Sequence, residues 1–265
     1  MLEPDGMEVT PLFSKIYGEG APLIILHGLF GMGDNWATHA KHWANLGWQV
    51  HAVDARNHGR SPHMAEHNYD VMAADLDAYL DQHNIESAVL LGHSMGGKTA
   101  MHFAVSRPAR VRALIVVDIA PKAYPVHHQG YIDAMKSIDF TKVEKRSDAE
   151  AQLSRTVTNA GIRQFFLKSM YRTDKNSFAF RFNLDALEAQ IAFVGEPLEF
   201  GYYDQPTLFV AGGMSGYIEP ADHDHIYDLF PQAEIKTIAN AGHWVHAETR
   251  EAFSELIEAF LGEIQ

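Results

Sequence analysis

Apolar positions along the chain fall into two rhythms. Short β-type runs occur at "LIILHG" (23–28), "WQVHAVDAR" (48–56), "SAVLLGHS" (87–94), "ALIVVDIA" (113–120), "TLFVAGG" (207–213) and "AEIKTIANAGH" (233–243). The first, third and fourth are nearly continuous Val, Ile and Leu, as in strands covered on both faces. Between several runs the period lengthens to that of a helix. Over 69–84, Tyr69, Met72, Ala73, Leu76, Tyr79 and Leu80 share a stripe, with Asp70, Asp75, Asp77 and Asp81 elsewhere. Over 249–261, Ala252, Phe253, Leu256, Ile257 and Phe260 repeat the pattern. Strand–helix alternation predicts right-handed crossovers and a mostly parallel central sheet flanked by helices.

The rhythm breaks after Pro121. No buried-strand run follows until "FGYYDQP", and the stretch is helical or irregular and rich in Phe and Tyr. A long insertion between sheet strands predicts a helical cap, residues 121–201, roofing the carboxyl ends of the strands where α/β sheets bind ligands. Residues 1–120 and 202–265 then form the core domain. No internal repeat or low-complexity tract interrupts this layout.

Composition narrows the function classes. With 265 residues, 46% of them hydrophobic, the chain can bury a sizeable core. A net charge of −13 opposes nucleic acid and anionic membrane as partners, which leaves a small-molecule substrate. There is no cysteine, hence no disulfide, thiolate metal site or cysteine nucleophile. The start "MLEPDGMEVTP" has no basic or apolar signal region, and no apolar stretch approaches the roughly 18 residues of a membrane span. The expectation is a cytoplasmic monomer or homodimer.

Chemistry concentrates at "GHSMG", residues 92–96, between a strand and a helix. This G-x-S-x-G context places Ser94 on a tight bend at a helix N-terminus, where side chains at −2 and +2 would strike neighbouring backbone. A serine hydroxyl needs a base. His93 is adjacent, but its side chain diverges from that of Ser94 on a sharp turn. His243, in "NAGHWVH" after the last strand, is the candidate, and His246 its structural neighbour. The orienting acid is less obvious. The loop after the penultimate strand, "AGGMSGYIEP", has Ser215 and Gly216 where an acid is common. Asp118, ending "IVVDIAP", is the candidate, with Glu219 and Asp222 in reserve. Oxyanion donors are expected at the amides of Met95 and Leu29, with Phe30 second to Leu29. Trp244 and Phe166 are the candidate substrate contacts.

Other clusters carry less. His39 with His42, and His223 with His225, lack a convergent third metal ligand, so no metal is expected. No glycine-rich phosphate loop points to a nucleotide, and no cofactor is expected. His27 and Arg56 are read as braces of the strand-end loops, and His127-His128 as loop surface at the cap entrance.

Taken together, "LHGLFG", "DARNHGRSP", "GHSMGGK", "VDIAP", "FLKSM", "RFN" and "AGHWVHAE" resemble the YbfF-type esterases of the α/β-hydrolase superfamily over nearly the whole chain. The resemblance implies an α/β-hydrolase fold with a helical cap inserted after the sixth strand. It implies serine carboxylester hydrolysis, without fixing the physiological ester, and an acid after that strand, which matches Asp118; the apolar, aromatic-rich insertion is itself compatible with short- to medium-chain acyl esters. The same triad would also serve an acyl thioesterase, a C–C bond hydrolase or a perhydrolase. A ligand-sensing homologue without turnover is the reading from another class.

Overall fold

The apolar runs become the inner strands of one sheet. A computed structural model describes residues 8–198 and 200–264. The amino terminus read above for a signal therefore lies largely outside the described residues. In chain order the first part holds β1 (Ser14–Tyr17), β2 (Ala21–Leu26), α1 (Ala37–Asn45), β3 (Trp48–Val53), α2 (Tyr69–Gln82), β4 (Ala88–His93), α3 (Met95–Ser106) and β5 (Val111–Val117). The insertion carries α4 (Gln129–Lys136), α5 (Arg146–Leu153), α6 (Ala160–Lys168), β6 (Met170–Arg172), β7 (Phe178–Phe180) and α7 (Leu184–Ala189). Then come β8 (Thr207–Gly212), α8 (His223–Leu229), β9 (Ala233–Ile238), α9 (Val245–Glu248) and α10 (Arg250–Glu263).

The seven-stranded sheet has the order β1-β3-β2-β4-β5-β8-β9. Every pairing is parallel except β1 against β3. β4 and β8 are buried throughout, and β5 is buried at all but Arg112, which is why they read as unbroken apolar runs. Edge strand β1 has no such run, because only part of each face is covered. Helices pack on both faces. On one, α2 and α3 bury Leu76, Met101 and Phe103 against Leu90 and Leu114. On the other, α1 and α10 bury Trp43 and Phe253 against Leu91 and Ile115.

Three details differ from expectation. The insertion leaves the sheet after β5, the fifth strand of the described residues and not the sixth, because only four described strands precede it. It also contains the small antiparallel pair β6–β7. Three-residue strands are too short to display an alternation that sequence can register. Asp75, placed off the apolar stripe of α2, is in fact buried and bonded twice by Arg56. The insertion has its own core, in which Ile132, Phe166 and Phe180 meet Phe30 and Met95 from the sheet side.

Candidate active site

The strand-to-helix corner sets the site. Ser94 joins β4 to α3 at φ 53°, ψ −118°, a conformation that costs a residue with a Cβ about 1–3 kcal/mol. The corner closes because residues 92 and 96 have no side chains. A Cβ on Gly92 would strike the Gly96 carbonyl, and one on Gly96 the carbonyls of Leu26 and His27. The turn is tied to the next strand by the Ser94 amide, which donates to the Val117 carbonyl at 3.1 Å.

One residue beyond that carbonyl, Asp118 also sits at positive φ (50°), at the carboxyl end of β5. Its side chain is fully buried (0% exposed). A buried carboxylate is costly unless its oxygens find donors, and this one has three. Oδ1 accepts from the Gly212 amide (2.8 Å) and the Ser215 hydroxyl (2.7 Å); Oδ2 accepts from His243 Nδ1 (2.8 Å). With Nδ1 donating, His243 Nε2 presents its lone pair to the Ser94 hydroxyl at 3.1 Å. The structure thus joins Ser94, His243 and Asp118 in one hydrogen-bonded chain. Glu219 and Asp222 lie elsewhere, both paired with Lys122.

The histidines around this chain have separate jobs. His93 does diverge from Ser94, and its Nε2 donates to the His243 carbonyl at 2.9 Å, bracing the loop of the base. Burial, then the fields of His243 and His246, hold its imidazole well below the ordinary range. His246 stacks on Trp36 with ring centres 4.1 Å apart, and burial pushes it down to about 3. His27 accepts from the Ala55 amide through Nε2 and donates through Nδ1 to the Gly28 carbonyl, a loop brace as expected. Arg56 is buried on Asp75. Of the pairs first weighed as metal ligands, His39 bonds Ser254 and the His246 carbonyl, and His42 bonds Glu258.

Among the described residues the amides of Leu29 and Met95 have no hydrogen-bond partner. Both are therefore open to an oxyanion. The reserve donor Phe30 is engaged: its amide donates to His58 Nε2 at 3.2 Å, and its ring packs edge-on against Phe166. It does not serve as expected, because the neutral His58 needs a donor at that nitrogen. A cavity of about 250 Å³ opens in front of Ser94 and His243, lined by Leu29, Phe166 and Trp244 among others. His127 and His128, expected at the loop surface, line it too.

A model of the alpha/beta hydrolase fold matches residues 21–249. The chain belongs to the α/β-hydrolase fold family. Within it, the resemblance to YbfF-type esterases holds. Esterase YbfF of Escherichia coli (strain K12) is 35% identical over 244 residues, covering 92% of this chain and 94% of that protein. The sn-1-specific diacylglycerol lipase ABHD11 of Mus musculus is 42% identical over 247 residues, 90% of this chain and 80% of that one. A solved marine microorganism esterase superposes with a TM-score of 0.92 at 40% identity, covering 95% of this chain and 99% of its own. This α/β hydrolase is a carboxylic ester hydrolase.

Two residues of the α/β hydrolase's site went unassigned in the sequence. Ser215 occupies the loop where an acid was sought and instead donates to the acid one strand away; a hydroxyl at that position was the available signal. Tyr217 stacks on His243 at 4.0 Å and 20°, a contact no local pattern announces.

Proposed function

We propose that this α/β hydrolase is a serine carboxylesterase for short- to medium-chain acyl esters, working through an acyl-enzyme. The observation that carries the reading is the hydrogen-bonded chain from Ser94 through His243 to Asp118 at the mouth of an aromatic cavity. As Ser94 Oγ attacks the ester carbonyl, its proton passes to His243 Nε2. Asp118 keeps the imidazole oriented and stabilises its cationic form. The Leu29 and Met95 amides receive the negative charge on the carbonyl oxygen; one such donor is worth roughly a hundredfold or more in turnover. Collapse breaks the carbon–oxygen bond to the alcohol, which takes the proton from Nε2. Water, deprotonated at the same nitrogen, then cleaves the acyl–Ser94 bond. The insertion is assigned the part of a cap that shields this chemistry from bulk solvent.

The test is Ser94→Ala. It is expected to abolish ester hydrolysis and labelling by a fluorophosphonate probe while the circular dichroism spectrum stays unchanged. Retained turnover in the folded variant would refute the reading.

A further inference from the structure

Ser94 stands between two cavities, and only one of them has the base. The large one, about 250 Å³, is bordered by His243, Trp244, Tyr131, Phe165 and Phe166. The small one, about 20 Å³, is bordered by Met95, Ile119, Tyr124, Val126 and Val194 and has neither His243 nor Trp244 on its wall. On the same measure the small cavity is less than a tenth of the large one, which leaves room for a short chain only.

The chemistry decides which limb of an ester enters which cavity. In the tetrahedral intermediate the carbonyl carbon bears four groups. Ser94 Oγ is one. The oxyanion, turned to the Leu29 and Met95 amides, is the second. The leaving oxygen must lie against His243 Nε2, because its proton comes from there, so the alcohol occupies the large cavity. The acyl group, the fourth substituent, is left with the small one. Among the described residues no Lys, Arg, Asp or Glu lies on the wall of the large cavity. Its neighbouring imidazoles His93, His128 and His246 are all held in the neutral form by burial. Among the described residues no side chain of fixed charge stands there to compensate a charged alcohol.

Resting on the esterase reading above, we infer that the substrates are short-acyl esters, acetyl or propionyl, of bulky, uncharged, aromatic alcohols. Specificity then resides mainly in the leaving group, and the acyl length is capped by Ile119, Val126 and Val194.

Two matched series test this on the full-length protein. In the first, 2-phenylethanol is esterified with acetate, butyrate, hexanoate and octanoate; in the second, acetate is joined to ethanol, benzyl alcohol, 2-phenylethanol and 2-(4-carboxyphenyl)ethanol. Expected is a fall in kcat/KM of about tenfold or more from acetate to hexanoate, and a rise of about tenfold from ethyl to 2-phenylethyl acetate, lost again in the carboxylate. Val194→Ala should raise the hexanoate-to-acetate ratio, and Ile162→Trp, on the wall of the large cavity, should lower the phenylethyl-to-ethyl ratio. Turnover that improves with acyl length, or a Val194→Ala effect on alcohol preference instead, overturns the inference and leaves the esterase reading standing. Absence of turnover on every ester by the wild-type protein overturns both.

Discussion

At the scale of single residues, the proposed site depends on a fully buried carboxylate. Asp118 spends both oxygens on three donors, and one of these is His243, the proposed base. Asp118→Asn preserves shape but puts an amide where His243 Nδ1 needs an acceptor, which favours the wrong imidazole tautomer. A loss of about 10⁴ in kcat is expected, measured at constant pH on a simple aryl ester. Glu219→Gln should leave the same rate within a factor of about two, because that side chain belongs to the Lys122 cluster and changes a rim contact only. A reversed pattern would move the acid to the loop after β8. Ser94 was legible because its signal is local: two glycines, a strand before and a helix after. Asp118 was harder, since an acid at a strand end becomes meaningful only when the residue 125 positions away is known to bond it.

Between elements, the insertion is tied to the sheet by side chains of the helix that follows the nucleophile. Lys98 on α3 reaches the carbonyls of both Lys122 and Glu196, where the chain enters and leaves the insertion. Its ammonium also lies 5.0 Å from the Tyr124 ring centre. Backbone bonds from Tyr124 to Gly195 and from Leu198 to Pro121 close the same junction. On the far side, Asn183 makes two bonds to Asn57. Lys98→Met removes the donor shared by two part-buried carbonyls and is expected to cost about 1–2 kcal/mol. Urea unfolding checks the stability. Faster proteolysis within residues 121–201 than elsewhere would show that the junction has loosened; uniform cleavage would count against its special role. Sequence showed the insertion through the missing strand rhythm. It did not show β6–β7, whose three-residue strands exist because each partners the other.

For the molecule as a whole, the unusual inventory is imidazole. Among the described residues His67 has no hydrogen-bond partner on either ring nitrogen, and burial, with Arg56 and His27 adding, pushes it down to about 3. His246 is likewise near 3 and His51 near 4, all from an ordinary 6.5. A folded-state value below the unfolded one means that the unfolded chain binds more protons between roughly pH 3 and 6.5. Stability is therefore complete above about pH 6.5 and falls as the solution is acidified through that window. Each such group contributes up to about 1.4 kcal/mol per pH unit. The urea midpoint should drop clearly between pH 7 and pH 5. His67→Phe, which removes one such imidazole in favour of a ring that packs on Phe193, should shrink that drop. An unchanged drop in the variant would assign the acid sensitivity to other groups.

The sequence alone determined the mostly parallel sheet and the serine at its corner. Each of these is written in spacings of two to five residues, which the backbone reads as strand pleat, helix turn or tight bend. Only tertiary structure decided that Ser215 bonds Asp118, that Tyr217 stacks on His243, that Phe30 gives its amide to His58 and that Ser94 borders two cavities of unequal size. Those are contacts between distant segments, and their energies arise from burial and hydrogen-bond geometry that exist only once the strands have been brought side by side.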